Sequence, residues 1–379
     1  MSERKKILWL VSWYPNKYDP FDGDFIQRHA QAAALYDDIH VLFIRQSEEQ
    51  TKLEQAKCKT KGLLEQIIYL PKQKGALGKL ANFRRWKASY KQQVTLIIRQ
   101  QKPDFIHVHI PWKAGLIALW AKKKFGIPYF VTEHWGIYNN IVEDNIYTKS
   151  PVVRSLLKSI FRGAKVFISV SAYLGNGVNK TLCRTSYEVI PNVVNTDLFH
   201  LSAKKHERFT FVHVSNMVAL KNVEGILSAF AAFLQKAGAN AQLILIGNRD
   251  TNHVKLAERL GLLDSAVFFK GEVPYQEVAK EMQQSHVFVL NSNIENSPCV
   301  IGEALCCGLP VIATNVGGIP ELVNAQSGIL VEPGNTAMLA SAMEDIFSRC
   351  PSFDSSVISQ EARQKFSYQQ VGQQFHTIY

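Results

Sequence analysis

The chain reads as an α/β protein built from two doubly wound parallel-sheet domains, and three observations carry that reading. Short apolar runs alternate with helix-period segments along both halves, the pattern of parallel strands joined by helical crossovers. The alternation breaks once, at Ile190-Pro191-Asn192, and the stretch from there to about His206 is polar and irregular. The 379 residues give room for two domains of ordinary size, each with its own core.

In the first half, strands are expected at residues 7–11, 39–44, 105–110, 129–132, 166–170 and 188–190. Residues 7–11 follow Arg4, Lys5 and Lys6, but no small-residue cleavage site precedes Tyr14-Pro15, so they read as a buried strand and not as a signal peptide. Helices fill the gaps at 25–36, 84–101, 113–125, 152–161 and 173–180. The second half repeats the layout, with strands at 209–214, 243–246, 267–269, 287–290, 310–313 and 329–331 and helices at 223–237, 254–260, 275–285, 298–307 and 336–348. The linker is placed between them, giving domains at 1–200 and 201–365, with a last helix at 366–379. Two such sheets facing a central cleft would put their carboxyl ends on it, where open α/β sheets bind ligands.

Composition narrows the class. Apolar content of 46% and charged content of 20% are those of an ordinary globular protein, and no apolar run approaches the roughly 20 residues of a membrane span. The six cysteines have neither metal-ligand spacing nor a disulfide framework, so reduced thiols and a cytoplasmic setting are expected. Charge is lopsided: residues 1–200 carry 30 Lys and Arg against 16 Asp and Glu, whereas residues 201–379 carry 13 against 16. Residues 72–102 hold nine of the basic groups and no acid, interleaved with Leu77, Leu80, Phe83, Trp86, Tyr90, Val94 and Ile97 at helical steps. One reading docks this basic amphipathic helix on an anionic membrane surface, which would make the protein peripheral on the inner face of the plasma membrane. The other packs the apolar stripe on the core and leaves the basic face solvated.

The densest chemistry lies in Glu295-Asn-Ser-Pro-Cys-Val-Ile-Gly-Glu303, followed by Ala304-Leu305-Cys306-Cys307-Gly308. Ser297 is expected to cap a helix that Pro298 opens and Gly308 stops. Glu295 then lies in a loop and Glu303 inside the helix. The first turn of a helix leaves its backbone N–H groups, those of Cys299 and Val300 here, available to phosphate oxygens. A carboxylate beside an anion site suits paired sugar hydroxyls.

This pattern, with Gly317-Gly318-Ile319-Pro320-Glu321 and Ser327-Gly328-Ile329-Leu330-Val331-Glu332-Pro333-Gly334 behind it, closely resembles the donor site of retaining glycosyltransferases of family 4. Their fold, GT-B, consists of two Rossmann-like doubly wound domains facing a central cleft, with the terminal helix crossing back onto the first. The resemblance implies that Glu303 holds the donor ribose and that Glu295 approaches the transferred sugar. It makes the first domain the acceptor-binding one and the second the donor-binding one. Asn296 and Ser297-Pro298 replace the more usual Gly-Phe-Gly. In Ser215-Asn216-Met217-Val218-Ala219-Leu220-Lys221, Lys221 matches the family's lysine, placed to neutralise the leaving diphosphate. Asn216 stands where an arginine is usual and keeps only a hydrogen-bonding amide.

In the first domain, Gly23 precedes a helix bearing Arg28 and His29 and corresponds to the family's glycine loop. His134, in Thr132-Glu133-His134-Trp135, matches its strand-end histidine near the donor sugar. Glu133 is a weaker candidate for acceptor binding. His107 and His109 share one side of a strand, but the sequence shows no third ligand that would make them a metal pair. No Asp-x-Asp motif follows a strand, so a metal-independent enzyme without a cofactor is expected, its partners being a UDP- or GDP-sugar donor and a glycan or lipid-linked acceptor.

The leading function is therefore retaining hexosyl transfer in polysaccharide or glycoconjugate biosynthesis, with Lys221, Glu295 and His134 catalytic and no nucleic-acid partner. A nucleotide-sugar epimerase of the same fold is the enzymatic alternative. A basic membrane or nucleic-acid binding protein is the non-catalytic one.

Overall fold

The structure, a computed structural model, describes residues 3–238 and 240–379. The chain divides into two compact units: one runs to Val193 and takes in Tyr368–Tyr379, and the other is Val194–Ser367. These divisions fall at 193/194 and 367/368, in place of the expected 200/201 and 365/366. The reason is local. The Val194 N–H donates to the Phe366 carbonyl at 2.9 Å, and Val194, Phe199 and Phe366 are buried in the core of the second unit. The stretch from Val194 onward is thus already part of that unit and not a free linker.

The first unit runs β1 (Lys6–Val11), α1 (Asp24–Ala33), β2 (Asp38–Ser47), β3 (Glu54–Thr60), β4 (Leu63–Pro71), α2 (Gly75–Gln100), β5 (Phe105–His109), α3 (Ala114–Phe125), β6 (Tyr129–Glu133), α4 (Pro151–Gly163), β7 (Val166–Ser169), α5 (Ala172–Thr181) and β8 (Tyr187–Val189). Its sheet order is β3-β4-β2-β1-β5-β6-β7-β8, parallel except for β3. Trp9, Phe130 and Phe167 show why the strands form, since each is buried on a sheet covered by helices on both faces. The β3–β4 hairpin was not expected. β3 is Glu-Gln-Ala-Lys-Cys-Lys-Thr, exposed along its whole length, and an edge strand that buries nothing has no apolar alternation to read.

Helix α2 begins at Gly75, nine residues before its expected start. Trp86, Tyr90, Val94 and Ile97 of its apolar stripe are buried in the core, whereas Leu77 is 87% exposed and Leu80 51%. Core packing therefore accounts for the stripe from Trp86 onward and leaves the amino end of the helix outside it.

The second unit runs β9 (Phe209–Val214), α6 (Val223–Ala237), β10 (Ala241–Ile246), α7 (Thr251–Arg259), β11 (Val267–Gly271), α8 (Tyr275–Gln284), β12 (Val287–Leu290), α9 (Cys299–Cys306), β13 (Val311–Thr314), β14 (Gly328–Val331), α10 (Thr336–Arg349) and α11 (Ser355–Phe366). Its six strands are all parallel, in the order β11-β10-β9-β12-β13-β14. α11 was not expected, although Asp354 caps it through the N–H groups of Ser356 and Val357. Helix α12 (Tyr368–Ile378) then returns the chain to the first unit, where it packs along α1. No described helix is long and apolar enough to cross a membrane.

Candidate active site

A doubly wound sheet binds ligands where its strand order reverses, outside the carboxyl ends of the strands. In the second unit that point lies between β9 and β12. The loop after β9 carries Lys221 and the loop after β12 carries Glu295, and the two side chains meet: Lys221 Nζ lies 2.5 Å from Glu295 Oε1. Ser292 Oγ donates to the same oxygen at 2.7 Å. The Asn293 N–H donates to the Leu220 carbonyl at 2.8 Å and Asn291 Nδ2 to the Asn222 carbonyl at 3.2 Å, so the loops are stitched along their backbones as well.

Close approach fixes the position of Glu295. Its carbonyl accepts from the Gly318 N–H at 3.0 Å, and a Cβ on Gly317, which has φ +59°, would stand 1.8 Å from that oxygen. Only glycine fits there. The lysine loop has its own lock. Buried His213 pairs through Nδ1 with the Val289 carbonyl, so that nitrogen carries the proton, and Nε2 accepts from Ser215 Oγ at 2.8 Å. Ser215 Oγ in turn accepts from the Met217 N–H at 3.0 Å. Burial holds the His213 pKa down at about 4, which keeps this relay neutral. Asn222 then enters α6 in the left-handed region, φ 46°, and its side chain caps Gly225.

Glu303 sits on α9 and is 2% exposed; Tyr275 OH donates to its Oε1. The start of α9 differs from expectation. Pro298 occupies the N-cap position with extended ψ (118°) and makes no cap bond of its own, and Cys299 is the first helical residue, so Ser297 stands one position before the N-cap. Cys299 and Val300 are half-buried in the first turn, and Asn216 is exposed in the lysine loop.

In the first unit the strand order reverses between β1 and β5. Gly23 is the N-cap of α1 with φ +67°, and a Cβ there would come within 2.7 Å of the Trp13 carbonyl carbon. The glycine is thus demanded by the loop's own fold, besides any ligand. His29 on α1, His109 ending β5 and His134 after β6 converge: His109 Nδ1 lies 3.1 Å from His134 Nε2, and His29 Nε2 pairs with the Pro191 carbonyl at 3.0 Å. His107 is used elsewhere, by Tyr379 OH at 2.6 Å and Thr132 Oγ1 at 2.7 Å. Burial lowers the pKa of all four, that of His29 to about 4.

Glu133, expected as an acceptor contact, is fully buried and turned inward. Its Oε1 accepts from the N–H groups of His134 and Trp135, both at 2.9 Å, and its Oε2 from Tyr138 OH at 2.6 Å. Burial pushes its pKa up to about 7 despite these bonds. It shapes the turn that presents His134.

Residues 31–198 match the model for Glycosyltransferase Family 4, and residues 195–365 match that for Glycosyl transferases group 1. The chain belongs to glycosyltransferase family 4. An N-acetyl-alpha-D-glucosaminyl L-malate synthase of Bacillus anthracis is 25% identical over 257 residues, and the match covers 64% of this chain and 65% of that one, just under two thirds of the relative's length. A putative teichuronic acid biosynthesis glycosyltransferase, TuaC, of Bacillus subtilis (strain 168) is 23% identical over 364 residues, covering 89% and 88%. Among solved structures, Anabaena Alr3699/HepE in complex with UDP and glucose superposes with a TM-score of 0.73 at 20% identity, covering 99% of each chain. The fold is accordingly GT-B, with two Rossmann-like domains.

Within this family 4 chain, the second unit brings Lys221 and Glu295 into direct contact and buries Glu303 on the helix that follows. The sequence had no signal for the supporting groups. Ser292, Tyr275 and the His213 relay act through contacts that only the folded chain makes. Gly317-Gly318 was visible as punctuation, but not as the seat of the Glu295 carbonyl.

Proposed function

We propose that this glycosyltransferase moves a hexose, with retention, from a UDP- or GDP-sugar to a glycan or lipid-linked acceptor in polysaccharide or glycoconjugate biosynthesis. The observation that carries the reading is the Lys221–Glu295 pair at the strand reversal of the second sheet. Sugar transfer builds positive charge at the anomeric carbon and negative charge on the departing diphosphate, and the pair offers one group for each. Lys221 and the amino end of α9, at Cys299 and Val300, serve the diphosphate. Asn216 adds a donor at the mouth of the lysine loop, and Glu303, with Tyr275 behind it, accepts from the ribose. In the first unit, His134 and the amino end of α1 at Gly23 serve the sugar and the acceptor. The leaving phosphate itself takes the acceptor proton, so no protein nucleophile is required and the anomeric configuration is kept. The relatives, an N-acetyl-glucosaminyl malate synthase and a putative teichuronic acid biosynthesis glycosyltransferase, and the UDP of the Anabaena structure support a nucleotide-sugar donor.

A lipid-linked acceptor on the inner face of the plasma membrane is part of the proposal. The amino end of α2 supports it, since Leu77 and Leu80 are exposed there beside Lys79 and Arg84.

A panel of UDP- and GDP-sugars tests the reading. The cognate donor at about 100 times its dissociation constant should stabilise the protein by about 2.7 kcal/mol, and nucleoside diphosphate should be released only when an acceptor is added. Release of a rearranged nucleotide sugar without acceptor would make the protein an epimerase; no stabilisation by any donor would remove the transferase reading.

A further inference from the structure

Lys221 and Glu295 are each other's partner, Nζ to Oε1 at 2.5 Å, although the transfer reading gives them separate targets, the departing diphosphate and the sugar. Their contact is largely withdrawn from water: the lysine side chain is 21% exposed and that of the glutamate 11%. Salt screens such a pair poorly, and a charge that loses its partner there is costly. Neither loop is built to relax the contact by moving its backbone. The Lys221 N–H donates to the Val218 carbonyl at 2.8 Å and the Asn222 N–H to the Ala219 carbonyl at 3.1 Å, a tight turn around the lysine. Glu295 is seated against Gly317 and Gly318. The two groups can part only by turning their side chains.

Ser292 keeps hold of the glutamate when they do. Its Oγ donates to the same Glu295 oxygen at 2.7 Å, its side chain is fully buried, and its carbonyl accepts from Thr314 Oγ1 of β13 at 2.6 Å. That hydroxyl is a neutral donor, so it can retain the carboxylate without cancelling its charge. A diphosphate arriving at Lys221 brings like charge to Glu295 and favours their separation.

We propose that Glu295 is the exchangeable counter-ion of Lys221. It neutralises the ammonium in the empty site, yields it to the diphosphate when the donor binds, and reclaims it as the nucleoside diphosphate leaves, so the carboxylate that meets the sugar also speeds product release. Ser292 is the positioning residue that holds Glu295 during the exchange. This role rests on the diphosphate assignment of Lys221 made above.

A nucleoside diphosphate has no sugar, so a glutamate serving the sugar alone would not change its affinity. A counter-ion competes with it. Isothermal titration of the full-length protein with UDP and with GDP is therefore the test. Glu295→Gln should bind whichever nucleotide the wild type prefers about 10-fold more tightly, since the diphosphate then supplies the charge that Lys221 lacks. Ser292→Ala leaves the carboxylate leaning on Lys221 and should weaken nucleotide binding, with no effect in the Glu295→Gln background. A serine effect that persists there would overturn its positioning role. Equal or weaker affinity in Glu295→Gln, with normal binding by wild type, would overturn the exchange and leave the transfer reading standing. Wild type that binds neither UDP nor GDP would overturn both. Should Glu295→Gln fail to fold, a crystal structure of the wild type with its nucleotide decides: Lys221 Nζ on the phosphates and more than about 4 Å from the Glu295 carboxylate supports the exchange, and a pair still in contact overturns it.

Discussion

Lys221 and Glu303 are both expected to matter for donor use, by different routes. On the proposed function Lys221 meets charge that grows on the leaving group, so Lys221→Ala should lower kcat by roughly 10²-fold or more. On the same proposal Glu303 accepts from the ribose equally in ground and transition states, so Glu303→Gln should mainly raise the donor KM. Because Tyr275 also bonds to Glu303, Tyr275→Phe is the companion variant, and a smaller rise in KM separates ribose binding from side-chain placement. Wild-type steady-state rates in Lys221→Ala would remove the diphosphate assignment. Protonation offers a second residue-scale prediction. Glu133 is held up at about 7 from an ordinary 4.5, so its contribution to stability is complete below pH 4.5 and is lost as pH rises through 7. His29 and His213, held down at about 4 from 6.5, act oppositely, with a contribution complete above pH 6.5 and lost as pH falls through 4. Melting temperature should therefore peak between the two limbs, and Glu133→Gln should flatten the alkaline limb alone. An alkaline limb unchanged in that variant would show that Glu133 does not titrate in this window.

At the scale of elements, the sequence was legible wherever a segment buries a face. Helix α6 was placed residue for residue because Val223, Ile226, Leu227, Phe230 and Phe233 recur at helical steps on the core. β3 was not found, because none of its side chains is buried. The apolar stripe of α2 was read from Leu77 to Ile97, but only its part from Trp86 onward is buried, and Leu77 and Leu80 lie exposed in the first turns, ahead of the expected start at residue 84. That exposed end also sharpens the membrane test. Arg85 donates to the Pro71 carbonyl and Lys91 lies over the Trp120 ring, so both have work inside the unit. The informative variant joins Lys79→Gln and Arg84→Gln with Leu77→Ser and Leu80→Ser. It should lose binding to anionic vesicles, each charge being worth about 1 kcal/mol near the surface, and keep its rate on a water-soluble acceptor. Equal sedimentation of variant and wild type would return the helix end to solvent. Gly317→Ala belongs to the same scale: its Cβ would strike the Glu295 carbonyl, so transfer should fall steeply with little change in the melting of the first unit.

For the whole molecule, the twofold α/β plan was legible from alternation alone, and the candidate donor-site residues Lys221, Glu295 and Glu303 from the resemblance of their motifs to family 4. The three-histidine cluster was not, since residues 29, 109 and 134 become neighbours only through the strand order β1-β5-β6 and the placement of α1. The return of the chain to the first unit was expected, and the structure shows what it contributes. Phe375 is fully buried against Trp9, His29 and His107, with ring centroids 5.8, 5.3 and 5.6 Å away. Gly372 lies so close to α1 that a Cβ would stand 2.1 Å from the Ala32 carbonyl, and His376 pairs with buried Asp37 at 3.0 Å. Loss of one buried phenylalanine side chain costs about 3–5 kcal/mol, so cutting the chain after Ser367 should destabilise the first unit while leaving the second, which contains none of these contacts, near its original stability. Differential scanning calorimetry of the truncated protein should show the first unit's transition shifted down and the donor-stabilised transition of the second in place. Two transitions lowered together would mean that α12 holds more than the unit into which it packs.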